Sequence, residues 1–312
     1  MCEISRKQVN TLKQVKFAPY SDVYRDGTLA VLKRNFPWMS RQSDEKLYHW
    51  LAPLIAYKWL GDTDPGDIPY RNGLVILDGD NVVGYCGATY SYQNIDGKKR
   101  LYVCFSTFAV DEDYRFYIFP AVKELCTTAD VITDFTPRES MRRLFVERFH
   151  FQYLNDKRIF MLPVPSLSNR VKLRFIDKAE DISDPQQRKV FLDHNGYNVK
   201  FCTFERDGEK GGMFYCAKWY MKWKKRIPCG RRIDVLKVYN SALLSRNLRE
   251  IAWKLQMHEG VITFFVCDAA FLGENFSHPM KISRPVSRLV LSREDISQQY
   301  DLMYSELSTL LA

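Results

Sequence analysis

The sequence predicts an α/β protein of two tandem units, each a mixed, mostly antiparallel sheet with flanking helices. Three observations carry that prediction. Strand-like runs are joined at the turn signals Asp78-Gly79-Asp80 and Asp96-Gly97. A strand then crosses into a helix at VDEDYRFYIFPAVKEL, Val110 to Leu125. The pattern also recurs: at an offset of 130 residues, NVVGYCGATY (81–90) falls on GGMFYCAKWY (211–220) and VITDF (131–135) on VITFF (261–265). The same offset sets Ile118, Ala121, Val122 and Leu125 on Leu248, Ile251, Ala252 and Leu255, both at the i, i+3, i+4, i+7 spacing of one helix face.

Each element has its own signal. A helix is expected between Phe36 and Leu60, with Ser40 or Ser43 as N-cap and Leu47, Trp50 and Leu51 on its apolar face. GDTDPGDIP breaks the chain. GLVILDGDNVVGYCGATYSYQ then supplies two strands and IDGKKRLYVCFSTFAV a third, ahead of the crossing helix. ADVITDFTP reads as a short strand closed by Pro137, ESMRRLFVERFHF as a helix, and Ile159 to Leu162 as the next strand. This order implies one parallel crossover per unit. The linker is expected in the Pro- and Ser-containing PVPSLSN, 163–169, or slightly later in AEDISDPQQRK, with units taken as 1–165 and 166–312.

Composition narrows the class. At 46% hydrophobic and 14% aromatic the chain has the means to bury a large core, which excludes a disordered protein. The start has no apolar secretory core and no run of 18 apolar residues occurs, so a soluble, cytoplasmic protein without a membrane span is expected. The eight cysteines stand singly, mostly in strand-like runs, and read as reduced core residues. With no CxxC pair and no ligand spacing among the histidines, no metal is expected. The net charge of +9 is concentrated in AKWYMKWKKRIPCGRR, 217–232, with seven basic residues and no acid. Lys218, Lys222, Lys224, Lys225, Arg226, Arg231 and Arg232, interleaved with Trp219, Tyr220 and Trp223, suit a polyanion held by charge and stacking. They equally suit a solvated edge hairpin protected by its lysines.

FAVDEDYRF and LFVERFHF carry a family likeness. They resemble the strand end and the later helix of the GNAT superfamily of acyl-CoA-dependent N-acyltransferases, here as tandem GNAT-like units. The turn at Ile95-Asp96-Gly97-Lys98 with LYVCFSTFAVDEDYR is similar to GNAT-type proteins of bacterial surface-polysaccharide biosynthesis. The resemblance implies acyl-CoA as donor and a small-molecule or sugar-linked amine as acceptor. It also exposes departures. The family's Gly-rich turn brings several N–H groups to a pyrophosphate at a helix N-terminus, whereas here Ile118 and Pro120 take the small positions counted from Arg115. Pro120 has no N–H to give. Val146 stands where many members have the tyrosine that protonates the thiolate, and His150 where they have glycine; Phe151 keeps the final aromatic.

Candidate roles follow. Asp134 and Asp234 are the candidate bases, Ser106 and Tyr239 the hydroxyl candidates, and Thr107 to Val110 the strand whose N–H groups would bind a thioester oxygen. Arg115 is the candidate phosphate contact. Regular alternation would set Asp234 and Tyr239 on opposite strand faces unless a bulge intervenes. Ser245 reads as an N-cap, and Asp268 as a strand-end residue that is either catalytic or a turn residue. Two rivals share the fold: a FemAB-like transferase using aminoacyl-tRNA, which the basic segment would suit, and a GNAT-fold binding protein without catalysis.

Overall fold

The computed structural model describes residues 14–51, 57–60, 68–95, 97–222, 227–260, 263–272, 281–293, 302–305 and 307–308. Packing divides the chain into two compact units: Met1–Ile55 with Thr63–Ala88 and Thr107–Thr128, and Ala56–Asp62 with Thr89–Ser106 and Ala129–Ala312. Among the described residues no helix is long and apolar enough to cross a membrane.

In the first unit β1 (Val15–Pro19) pairs antiparallel with β2 (Leu74–Asp78), and β2 with β3 (Asn81–Ile95). Gly79 makes the β2–β3 turn at φ +59, a conformation open to glycine because it lacks a Cβ. Helices α1 (Arg25–Asn35) and α2 (Asp44–Leu51) supply Leu29, Val31, Leu32 and Leu47 to a core with Val75, Leu77, Tyr85 and Ala109. The helix expected from Phe36 starts later, at Asp44. Ser43 is its cap, accepting from the Lys46 N–H at 3.3 Å. Helix α1 was not among the expected elements, which begin at Phe36; it carries Gly27 in RDGTLAVLKRN. Its lack of a side chain is what the packing uses: a Cβ there would lie 2.6 Å from Val82 Cγ2. The unit also holds the end of β4 (Lys98–Val110), a 3-10 helix (Glu112–Tyr117) and α3 (Ile118–Leu125).

The second unit continues through β5 (Val131–Asp134), α4 (Glu139–Phe149), β6 (Gln152–Met161), β7 (Lys172–Ile176), α5 (Pro185–Asp193), β8 (Val199–Arg206), β9 (Glu209–Lys222) and β10 (Ile227–Tyr239). Then come α6 (Ser241–Arg246), α7 (Leu248–Glu259), β11 (Thr263–Asp268) and β12 (Lys281–Ser292). Its strand order is β4-β5-β12-β6-β11-β10-β9-β8-β7. The β4–β5 and β10–β11 pairs are parallel, and every other pair with a described register is antiparallel.

The 130-residue offset is visible in the architecture. Strands β3 and β9, β4 and β10, β5 and β11, β6 and β12, and helices α3 and α7, start within two residues of it. Each repeat thus contains a parallel strand-helix-strand crossing. The repeats also exchange their last strands, since β6 pairs with β11 and β12 with β5. The linker expected at 163–169 marks chain order, whereas the packing units follow these exchanged pairings. That loop is fastened to α7, where Arg249 donates to Pro165 O at 3.1 and 2.6 Å and Lys254 to Asn169 Oδ1 at 2.8 Å.

Candidate functional site

In the first crossing β4 pairs with β5 from Tyr102–Val131 to Phe105–Asp134 and then runs on to Val110. Along this extension Ser106 is half-buried, and Thr107 and Val110 are buried. Asp134 ends β5 at 2% exposure, its Oδ1 accepting from the Thr136 N–H at 3.0 Å.

The turn after β4 is closed by its own hydrogen bonds. The Tyr114 N–H donates to Asp111 O at 2.9 Å and the Ile118 N–H to Arg115 O, so the 3-10 helix feeds straight into α3. The Ile118 N–H, at the start of α3 where a glycine turn would offer its donors to a pyrophosphate, is thus engaged within the chain. Side chains fix the segment further. Asp111 is gripped by Arg34 at 2.7 and 3.1 Å and by Asn35 at 3.2 Å, while Tyr114 donates to Asp78, a bond that pushes its phenol up to about 12. Arg115 differs: its side chain is 63% exposed and pairs with Glu112 at 3.6 Å, an exposed pair that restrains it little.

Helix α4 ends in a left-handed turn. His150 follows α4 in the left-handed conformation, φ 61, and is exposed, so it is a helix terminus rather than a packing residue. Phe145 and Phe151 stack at 4.9 Å beneath it, with Phe105 alongside.

In the second crossing the bulge question is answered. The β10–β9 register slips between Val235 and Lys237, so Asp234 lies opposite Cys216, Lys237 opposite Phe214 and Tyr239 opposite Gly212. The bulge at Leu236 therefore returns Asp234 and Tyr239 to one face. They remain four β9 positions apart, about 13 Å at the usual strand rise, so they are not a catalytic pair. Tyr239 packs its ring on Phe201 and Phe214. Asn240, at φ 69, caps α6 by accepting from the Leu243 N–H at 3.0 Å. Ser245 is not the cap; its hydroxyl donates to Leu272 O. The bulge carbonyl of Leu236 accepts from the Leu302 N–H at 2.7 Å, and the buried Leu302, Met303 and Tyr304 lie against this repeat. The Tyr304 N–H donates to Nε2 of His194, whose Nδ1 is bound to Val190 O at 2.8 Å, which assigns the Nδ1–H tautomer.

The basic segment is partly committed. Arg232 donates to both oxygens of Asp234 at 2.7 and 2.6 Å, with Arg158 at 3.3 Å and Lys218 at 3.7 Å. Arg231 pairs with the buried Glu259 at 2.8 Å and lies over the Trp219 ring. The Lys222 side chain, and Lys224, Lys225 and Arg226 altogether, lie outside the described residues. Asp268 is fully buried, held by Arg288 at 2.9 Å and by Arg158 at 3.4 Å, and Arg288 also donates to Phe135 O. Arg158 and Arg288 were not legible as site residues, because an arginine inside a strand carries no sign of which carboxylate it will meet. The cysteines Cys86, Cys104, Cys202, Cys216 and Cys267 are buried, and burial pushes the Cys216 thiol up to about 12.

The sequence matches no protein-family model and no curated protein. Solved structures are more informative. A GCN5-related N-acetyltransferase from Anabaena variabilis superposes with TM-score 0.54 at 10% identity, over 89% of this chain and 72% of that one. Another from Kribbella flavida gives 0.53 at 12%, over 91% and 72%. An Enterococcus faecalis protein described as a probable N-acyltransferase gives 0.52 at 9%, over 88% and 71%. At such identities the likeness establishes the fold, a GNAT-type α/β architecture across most of the chain.

Proposed function

We propose that this chain is an acyl-CoA-dependent N-acyltransferase acting on an amine or sugar-amine acceptor. One observation supports the reading most: β4 runs five residues past its last pairing with β5, within a fold shared with N-acetyltransferases over nine-tenths of the chain. On this reading the β4 backbone between Ser106 and Val110 binds the thioester oxygen, Arg115 meets a donor phosphate, and Asp134 is the base. Asp234 is the weaker base, because Arg232, Arg158 and Lys218 surround its oxygens. The Ser106 hydroxyl would protonate the thiolate. The closed turn at Glu112–Tyr117 favours donor binding that relies on side chains more than on a backbone cradle.

Titrating the full chain with acetyl-CoA and longer acyl-CoAs, by calorimetry and thermal shift, tests this. A bound donor at 100 times its Kd should stabilise the protein by about 2.7 kcal/mol. Arg115→Ala should weaken the donor while leaving the melting temperature of the free protein unchanged. No response to any acyl-CoA removes the proposal and favours a binding protein. Stabilisation by tRNA alone, steeply weakened by salt, favours the aminoacyl-tRNA-dependent reading.

A further inference from the structure

One face of the second unit's sheet holds more cation than its carboxylates need. The register places Lys218 opposite Arg232, and Asp268 opposite Arg158, so these groups share a face of β9, β10, β11 and β6. Arg232 takes both oxygens of Asp234, and Arg288 faces both of Asp268 at 2.9 and 3.5 Å. Each buried carboxylate already has a guanidinium, so Arg158 and Lys218 are additional.

Neither additional cation is well satisfied. The Arg158 Nε–H is buried and, among the described residues, makes no hydrogen bond, though it lies 3.4 Å from Asp268 Oδ1. The Lys218 ammonium lies 3.7 Å from Asp234 Oδ2, beyond hydrogen-bond reach. Burial first, and then the neighbouring guanidiniums, push both below their ordinary pKa values, which Asp234 only partly offsets. Both reach the same carboxylate, so they flank it. Their side chains are still 16% and 31% exposed, and that of Arg232 18%, so an anion from solvent can approach all three. Arg284, opposite Arg158 and stacked on Phe160, adds positive charge to the same face.

We propose that Lys218, Arg158 and Arg232 form an oxyanion-binding site that takes the phosphate or carboxylate group of a ligand. The site is read from charge and geometry alone and does not depend on the acyl-transfer reading. An oxyanion would supply Lys218 Nζ with a hydrogen-bond acceptor and bring the cluster of Lys218, Arg158 and Arg232 nearer to neutrality.

The test uses the full chain with inorganic phosphate, pyrophosphate and succinate, against sodium chloride at matched ionic strength. Saturable stabilisation that chloride does not reproduce is expected. A response to the phosphates alone identifies a phosphate-bearing ligand; a response to succinate identifies a carboxylate. Lys218→Met should weaken the effective anion by roughly tenfold or more, the value of one charge-assisted hydrogen bond. Reductive methylation of Lys218 in the unaltered protein, read by mass spectrometry, should slow when the anion is present, and this decides the matter should the variant fail to fold. Stabilisation that chloride matches, or Lys218 labelling indifferent to every anion, overturns the proposal.

Discussion

The two strand-helix-strand crossings share spacing and differ in their turns. In the first, β4 passes through a 3-10 helix into α3 with no residue at positive φ; in the second, β10 breaks at a bulge, turns at Asn240 and enters α6 before α7. The apolar positions are nevertheless conserved in kind between the repeats: Ala121, Val122 and Leu125 are buried on α3 as Ile251, Ala252 and Leu255 are on α7. A helix face is set by periodic burial against a sheet, so it survives divergence. A turn is set by which N–H groups are satisfied and by what, so single residues remake it.

The equivalence can be broken most directly at its apolar contacts. Leu125→Ala and Leu255→Ala each remove a fully buried side chain from the same helical position, and each should cost about 2–5 kcal/mol in chemical denaturation. A loss under about 1 kcal/mol at either site would mean that the two helices do not play the same part.

A smaller effect separates the repeats electrostatically. Glu259, at the end of α7, accepts from Lys200 at 2.9 and 3.0 Å, Tyr215 at 3.1 Å and Arg231 at 2.8 Å, whereas the matching helix α3 ends before any such residue. Burial raises the Glu259 carboxyl, but these donors outweigh it and hold the pKa below the usual range. A folded-state pKa below the unfolded one means the contribution is present above the unfolded value and is lost as pH falls through the folded one. Glu259→Gln should cost about 1.5–3 kcal/mol at neutral pH, toward the low end because Lys200 and Arg231 are partly exposed. The gap between variant and wild type should close in acid below the ordinary glutamate range, which denaturation at a series of pH values will show.

The smallest effect belongs to the turn itself. Asn240→Ala removes the α6 cap and places a Cβ-bearing residue at φ 69, for an expected loss of about 1–2 kcal/mol. Asn240→Gly should cost only about a few tenths, since glycine accepts the conformation. Equal losses would show that the cap hydrogen bond, not the backbone angle, sets this turn.

Much of this architecture was legible because it is periodic. The offset in apolar spacing located both crossings, Gly79 announced a turn, and Ser40 or Ser43 offered a cap, of which the structure uses Ser43. Helix α1 was missed because glycine is a poor helix former, and only the packing shows that Gly27 is there to admit Val82. Ser245 was mistaken for a cap because hydroxyl chemistry alone does not say whether a helix start or Leu272 O will receive it. The candidate bases divided for a similar reason: Asp134 and Asp234 look alike in sequence, but Arg232, Arg158 and Lys218 converge on Asp234 from β10, β6 and β9.

The sequence by itself determined the repeat, the helix faces and the absence of glycine at Ile118 and Pro120, since each depends on residues close along the chain. Only the tertiary structure decided that the repeats exchange β6 and β12, that a bulge puts Asp234 and Tyr239 on one face, and that four cations gather about Asp234 and Asp268. Those outcomes rest on strand register, such as Asp134 opposite Leu289, and on charges far apart along the chain, such as Arg158 and Asp268, and local pattern carries no record of either.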